Sequence, residues 1–291
     1  MWNRSGLVWK QTLDRRYGGY QGTPPAALLH RGIEHVEFFD LSVPQFAGLQ
    51  TLIDRFADEG RTTFSFHTPV VRPAEFQDPG IACFYLCENE ERRERSFRLL
   101  AETLAEAGRW GAAYAVTHLT YGPTDSRDQE TAEALARAAC RRMAEMSAGA
   151  GVRLDLEFAA YSDAFHRADR FAEIVGGHSE LGICIDIGHL FIGAALRDRD
   201  FYADLDFLRP AARSMHLWNT KGPDHHDQYG HTPLHPGQDP GDGWIDVEKI
   251  LRRVLHNNNG IQLVFEYPVD EVSPEIQAGY DWIGELVQEL G

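Results

Sequence analysis

The chain lacks long apolar runs and low-complexity tracts. Its apolar runs are all shorter than the roughly 18 residues that a membrane-spanning helix needs. The segment after Arg4 also lacks the apolar core of a secretory signal. We therefore expect a cytoplasmic protein that does not contact membranes.

Cysteine and basic residues are also scarce. The four cysteines, at positions 83, 87, 140 and 184, match no zinc-knuckle spacing, and free thiols in a reducing cytosol are the simplest interpretation. The chain has 28 Lys and Arg against 44 Asp and Glu, a formal net charge of −16. This balance disfavours nucleic acid as a partner, because phosphate binding draws on clustered basic residues. A local basic or metal-lined cleft is still compatible with it.

What the chain does have is a regular alternation of short β-branched runs and longer amphipathic segments, including a short helix after Pro25 and a helix capped by Ser42. The predicted strands are Gly6–Lys10, Ile33–Phe39, Thr63–His67, Ala113–His118, Val152–Glu157, Ile183–Ile187, Ala212–Trp218 and Ile261–Glu266. Strands that alternate with helices form parallel sheets, and eight such units close into a (β/α)₈ TIM barrel of the α/β class. No linker divides residues 1–291, so we predict one domain.

Polar residues cluster at one end of these strands. Six strands carry, at or near their carboxyl ends, a side chain that can bind a metal: His67, His118, Glu157, Asp186, His216 and Glu266. The carboxyl ends of barrel strands share one rim, so the six side chains should converge there. Buried carboxylates are costly unless they are paired or hold a cation, which predicts a metal site. Glu37 is either another rim acid or a buried partner of a Lys or Arg.

These strand ends resemble those of the xylose-isomerase-like barrel superfamily over roughly residues 30 to 270. That group contains sugar isomerases and 3-epimerases, hydroxypyruvate isomerase, inosose dehydratase and endonuclease IV (AP endonuclease family 2). The motifs that carry the resemblance are Phe-His67-Thr-Pro, Thr-His118-Leu, Leu-Glu157-Phe, Asp186-Ile-Gly-His189, Met-His216-Leu-Trp-Asn-Thr-Lys221, Gly241-Asp-Gly243 and Val-Phe-Glu266.

The epimerase branch of this superfamily implies a specific site. Glu157, Asp186, His216 and Glu266 would hold one divalent metal. Glu157 and Glu266 would also act as the acid/base pair, moving an α-proton through an enediolate. The resemblance further implies that the substrate is bound by His67, His118, His189 and Lys221.

The expected cofactor is one divalent ion, and the expected substrate is a small sugar or polyol. Three carboxylates and one imidazole suit Mn²⁺, Zn²⁺, Co²⁺ and Mg²⁺ without selecting among them, and Mn²⁺ is our first expectation. Trp9, Trp218 and Trp244 are candidates either for stacking on a sugar or for packing. A homo-oligomer is compatible with the sequence.

Two alternatives stay open. In the endonuclease branch His67 and His118 are ligands of a three-metal phosphodiesterase site, and His231 or His235 would be candidates for an additional metal here. That branch has an Asp-x-His ligand pair shortly before the glycines that Gly241–Gly243 resemble, and this chain has no such acidic residue there. The other alternative is a barrel that binds a metal or polyol without turnover.

Overall fold

The structure is a computed structural model that describes residues 5–9, 35–41, 43–58, 63–71, 73, 83–120, 122–256, 258, 260–267 and 272–290. The short helix predicted after Pro25 and the cap predicted at Ser42 lie outside the described residues. Within the described residues, no helix combines the length and hydropathy needed to cross a membrane.

Eight parallel strands form a closed barrel in chain order. They are β1 (Ser5–Trp9), β2 (His35–Leu41), β3 (Thr63–Val71), β4 (Ala115–His118), β5 (Leu154–Glu157), β6 (Leu181–Asp186), β7 (Ala212–Leu217) and β8 (Gln262–Phe265). The barrel closes because β1 pairs with β8 on one side and with β2 on the other. The predicted (β/α)₈ barrel is confirmed.

Helices connect the strands and cover the barrel. They are α1 (Val43–Ala47), α2 (Leu49–Asp58), α3 (Glu90–Trp110), α4 (Gln129–Ala150), α5 (Ala168–Gly176), α6 (Ile187–Leu196), α7 (Phe201–Leu208), α8 (Pro223–Tyr229), α9 (Val247–Leu255) and α10 (Pro274–Leu290). Large apolar side chains between strands and helices are fully buried, among them Phe38, Phe66, Phe158, Phe171 and Phe265.

The helix limits follow from local side-chain chemistry. The Asn89 side chain accepts a hydrogen bond from the Arg92 N–H at the start of α3, and Gly111 ends that helix with a φ of 73°. Such a left-handed residue favours glycine. Asp128 and Gly151 play the same two roles for α4. Capping of this kind depends on neighbouring residues only, so it can be read in the sequence.

One predicted limit differs from the structure and bears on the site. We expected β3 to stop at His67, but it continues through Thr68 and Pro69 to Val71. Although Pro69 has no N–H, a register shift in β2 between Phe39 and Leu41 restores pairing, and Leu41 lies opposite Val71. His67 therefore lies within β3 rather than at its end.

The barrel interior is polar towards the carboxyl ends of the strands. His118, Glu157 and Asp186 are the last residues of β4, β5 and β6, and Glu266 directly follows β8. Parallel pairing places Asp186 opposite His216 of β7. The fold thus brings the predicted polar side chains to one rim.

Candidate metal centre

Four of the predicted residues form a compact group at this rim. Glu157, Asp186, His216 and Glu266 each offer one ligand atom, and these four atoms lie within 4.8 Å of one another. All four side chains are buried. The structure therefore brings together the ligand set that we expected, while its metal-binding role stays a prediction.

His216 lies at the centre of this group. Its Nδ1 is 3.0 Å from Glu266 Oε2 and 3.3 Å from Glu157 Oε2. Its Nε2 points the other way and is 2.9 Å from Glu37 Oε1. Burial disfavours the charged imidazolium, but Cys184 and the surrounding carboxylates outweigh the burial and raise the pKa of His216 well above its usual value.

Glu157 is surrounded by imidazoles. Its Oε2 lies 3.1 Å from His67 Nε2 and 3.3 Å from His118 Nε2. Its Oε1 is buried, accepts no hydrogen bond from the part of the chain that the structure describes, and faces His189 Nε2 at 3.7 Å. Burial alone would raise the pKa of Glu157, but His118 and His216 lower it well below its usual value. The carboxylate is therefore held in its ionised form.

Asp186 is oriented by an indole and a backbone amide. Trp218 Nε1 lies 2.9 Å and 2.7 Å from its two carboxylate oxygens, and the His189 backbone N–H donates to Oδ1 at 2.6 Å. The Trp218 ring leaves no room at Gly188, where a Cβ would lie 2.2 Å from ring carbons. The glycine of the Asp-Ile-Gly-His motif is thus needed for the close approach of Trp218.

The charges of the group match a divalent cation. Burial, together with the negative charges of Glu266 and Glu157, raises the pKa of Asp186 well above its usual value. Buried carboxylates this close together repel one another and are costly unless a cation pairs with them. A divalent ion would supply that positive charge, and carboxylate oxygens with one imidazole suit Mn²⁺, Mg²⁺, Co²⁺ or Zn²⁺.

Two further groups of ligand atoms share Glu157. His67, His118 and Glu157 form one, and Glu157, Cys184 and His216 form the other. Burial lowers the pKa of His118 to about 4, although Glu157 opposes this shift. Burial raises the pKa of Cys184 to about 12, so its thiol stays protonated and is a weak ligand.

His189 is oriented by Tyr161. The Tyr161 hydroxyl lies 2.7 Å from His189 Nδ1, which leaves Nε2 directed at Glu157. Sequence reasoning found His189 but missed Tyr161, because no motif links a tyrosine after β5 to a histidine in α6. The orienting role of Trp218 was also missed, since we expected stacking on a sugar or packing.

The predicted site residues in the loop after β7 differ in how close they lie to the metal-competent group. The His231 ring stacks on Trp218 with centroids 3.9 Å apart, and its Nδ1 donates to the Glu266 carbonyl oxygen at 2.8 Å. His235 Nδ1 accepts from the Gly237 N–H at 3.0 Å, a contact within the loop. Neither histidine joins a metal-competent group among the described residues. Lys221 is exposed, with its Nζ 5.0 Å from the centre of the Trp244 ring.

Comparison with known proteins agrees with this architecture. A family model described as a xylose isomerase-like TIM barrel matches residues 26–286. No curated protein sequence matches the chain significantly.

Three solved structures illustrate the range of similar proteins. A D-tagatose 3-epimerase-like protein superposes with a TM-score of 0.69 at 16% identity, covering 99% of this chain and 98% of that one. D-psicose 3-epimerase, crystallised in the presence of D-fructose, has a TM-score of 0.60 at 15% identity, with 99% and 95% covered. Endonuclease IV from Thermus thermophilus has a TM-score of 0.55 at 18% identity, with 98% and 99% covered. At these identities the likeness shows the fold alone.

Proposed function

The chain belongs to the xylose isomerase-like TIM barrel family, and from this premise we propose that it is a divalent-metal-dependent isomerase or epimerase of a sugar or sugar-like ketose. The family consists mostly of enzymes, and its members typically bind divalent metals. The observation that carries the proposal is the buried group of Glu157, Asp186, His216 and Glu266, whose ligand atoms lie within 4.8 Å of one another.

The proposed chemistry is proton transfer next to a carbonyl group. A divalent ion held by the four residues would polarise the carbonyl and its hydroxyl neighbour and so acidify the intervening C–H. The imidazoles that keep Glu157 ionised suit it to accept a proton. Glu266, which follows the strand three positions further round the barrel, also lies next to His216 Nδ1. With the substrate carbon between them, one carboxylate removes a proton and the other returns it.

The histidines around Glu157 are suited to bind hydroxyl groups. Burial lowers the pKa of His118, and its buried Nδ1 makes no hydrogen bond within the described part of the chain. His67 and His189 direct their Nε2 atoms towards Glu157. We assign these three residues to the substrate, with Lys221 at the outer edge.

A solvent-exchange experiment tests the proposal. The protein loaded with Mn²⁺ and incubated in D₂O with a panel of ketoses, including D-fructose, should exchange the proton next to the carbonyl, as followed by NMR. Elemental analysis should find one metal per chain. A metal-loaded protein that exchanges no proton in any ketose would instead support a barrel that binds a metal or polyol without turnover.

A second candidate is an endonuclease-IV-like phosphodiesterase, favoured by the group of His67, His118 and Glu157. In this alternative the two histidines bind an additional ion instead of a hydroxyl group. Three metals per chain together with incision of abasic DNA would establish it. The net charge of −16 favours the sugar enzyme, because DNA binding draws on basic surface.

A further inference from the structure

We infer that Glu37 is a positioning residue, which fixes the orientation and tautomer of His216 so that Nδ1 is the nitrogen presented to the metal. The inference rests on the metal centre of the proposed function. It assigns a role to a buried acid that lies outside the four-residue ligand group.

The two nitrogens of His216 face different partners. Nε2 lies 2.9 Å from Glu37 Oε1, whereas Nδ1 lies 3.0 Å from Glu266 Oε2. A neutral imidazole carries one N–H, and a carboxylate next to one nitrogen draws the proton to that nitrogen. With the proton on Nε2, the lone pair is on Nδ1, the nitrogen that lies next to Glu157 and Glu266. Partners of this kind orient metal-binding histidines and raise their basicity.

Glu37 is itself held in place by a chain of buried groups. The Ser65 hydroxyl donates to Glu37 Oε2 at 2.8 Å, and His35 Nε2 lies 2.9 Å from the Ser65 oxygen. The other nitrogen of His35 lies 3.1 Å from the Thr63 hydroxyl. Both Glu37 and His216 are fully buried. These contacts hold the carboxylate next to Nε2 of His216.

The other roles open to a buried acid do not fit Glu37. It is absent from the metal-competent groups of the described residues, since it contacts the side of His216 opposite the other carboxylates. Among the described residues, Glu37 forms an ion pair with His216 and none with a Lys or Arg. The partner is an imidazole rather than the Lys or Arg that we considered from the sequence.

The test compares two buried carboxylates. Glu37→Gln keeps the shape of the side chain and removes its charge. Asp155→Asn is the matched control, because Asp155 is equally buried but contacts Arg153 Nη2 at 3.0 Å and Ser214 Oγ at 2.8 Å. Titration with Zn²⁺ alone, followed by calorimetry, should show binding about 10- to 100-fold weaker in Glu37→Gln. Asp155→Asn should bind Zn²⁺ as the wild type does.

A second readout reports the tautomer directly. In protein labelled with ¹⁵N-histidine and loaded with Zn²⁺, long-range ¹H–¹⁵N spectra should show His216 protonated at Nε2 and metal-bound at Nδ1. The His216 signals are assigned with His216→Gln. In Zn²⁺-loaded Glu37→Gln, His216 should no longer show a single form with the proton on Nε2, because no carboxylate holds the proton on that nitrogen. A residue that only supported the fold would change the melting temperature but not the tautomer.

The outcomes separate the two proposals. If the wild type binds no metal, the proposed function fails and this inference fails with it. If the wild type binds Zn²⁺ and Glu37→Gln binds it equally well, or if His216 binds through Nε2, the inference alone is overturned. Should Glu37→Gln not fold, Ser65→Ala removes one hydrogen bond to Glu37 and should weaken Zn²⁺ binding about two- to tenfold. Unchanged affinity in Ser65→Ala would then overturn it.

Discussion

Asp155 and Glu157 lie two residues apart on β5 and are both buried, yet their surroundings differ. Asp155 pairs with the guanidinium of Arg153 and the hydroxyl of Ser214. Glu157 contacts the rings of His67, His118 and His216. The first carboxylate has a permanent cation supplied by the chain, and the second has groups that can bind or release protons and metals.

The comparison teaches that burial alone does not identify a functional carboxylate. Burial raises the pKa of Asp155 although Arg153 opposes it, while the imidazoles lower that of Glu157. A carboxylate that is held ionised next to other groups able to bind a metal can act as a base or ligand. A carboxylate committed to an arginine supports the barrel.

The largest expected effect is on activity, which should depend on Glu157 and not on Asp155. Glu157→Gln should lower the rate of ketose proton exchange by roughly 10²- to 10⁴-fold, because it removes a group that transfers the proton. Asp155→Asn should stay within a few-fold of the wild type. NMR in D₂O measures both rates. An equal loss in both variants would contradict the distinction.

Two buried imidazoles also differ in the direction in which their surroundings shift the pKa. Burial lowers the pKa of His35 from 6.5 to about 4, whereas that of His216 is raised. Unfolded His35 takes up a proton more readily than folded His35, so its contribution to stability is complete above pH 6.5 and declines as the pH falls towards 4. The loss amounts to roughly 3 kcal/mol.

Urea unfolding with a chelator present, at several pH values between 7 and 4, measures this decline without a contribution from bound metal. His35→Gln removes the titrating group and should give a shallower decline than the wild type. If stability declined with pH equally steeply in the two proteins, His35 would not be the cause of the decline.

Metal binding should stabilise the protein through Asp186 and not through Asp155. At a Mn²⁺ concentration about 100 times the dissociation constant, the expected gain is about 2.7 kcal/mol, measured as a rise in melting temperature that EDTA reverses. Asp186→Asn should lose most of this rise, and Asp155→Asn should keep it. A full rise in Asp186→Asn would remove that residue from the ligand set.

The smallest effect concerns the partner of Asp186. Trp218→Phe removes the indole N–H that contacts both carboxylate oxygens, and metal affinity should fall about tenfold. Trp244→Phe is the control, because Trp244 lies next to Lys221 and His225 in the loop region. Calorimetric titration with Mn²⁺ compares the two. Equal affinities would show that the Trp218 indole does not orient the ligand.

The sequence predicted the barrel and the polar rim because both follow from local patterns. Alternating strands and helices define the barrel, and side chains at strand ends such as Glu157 and Asp186 share its rim whatever their exact contacts. The strand limits were less predictable. The continuation of β3 beyond His67 depends on a register shift in β2, which the residues of β3 do not reveal.

What the sequence determined by itself is the set of residues that meet, since the order of strands places His216 and Glu266 beside Glu157 and Asp186. Only the tertiary structure decided the partner of each atom. Glu37 lies next to Nε2 of His216, and the Trp218 indole donates to Asp186. Hydrogen bonds depend on distances and angles between side chains that are remote in the chain, and the closed barrel sets those distances.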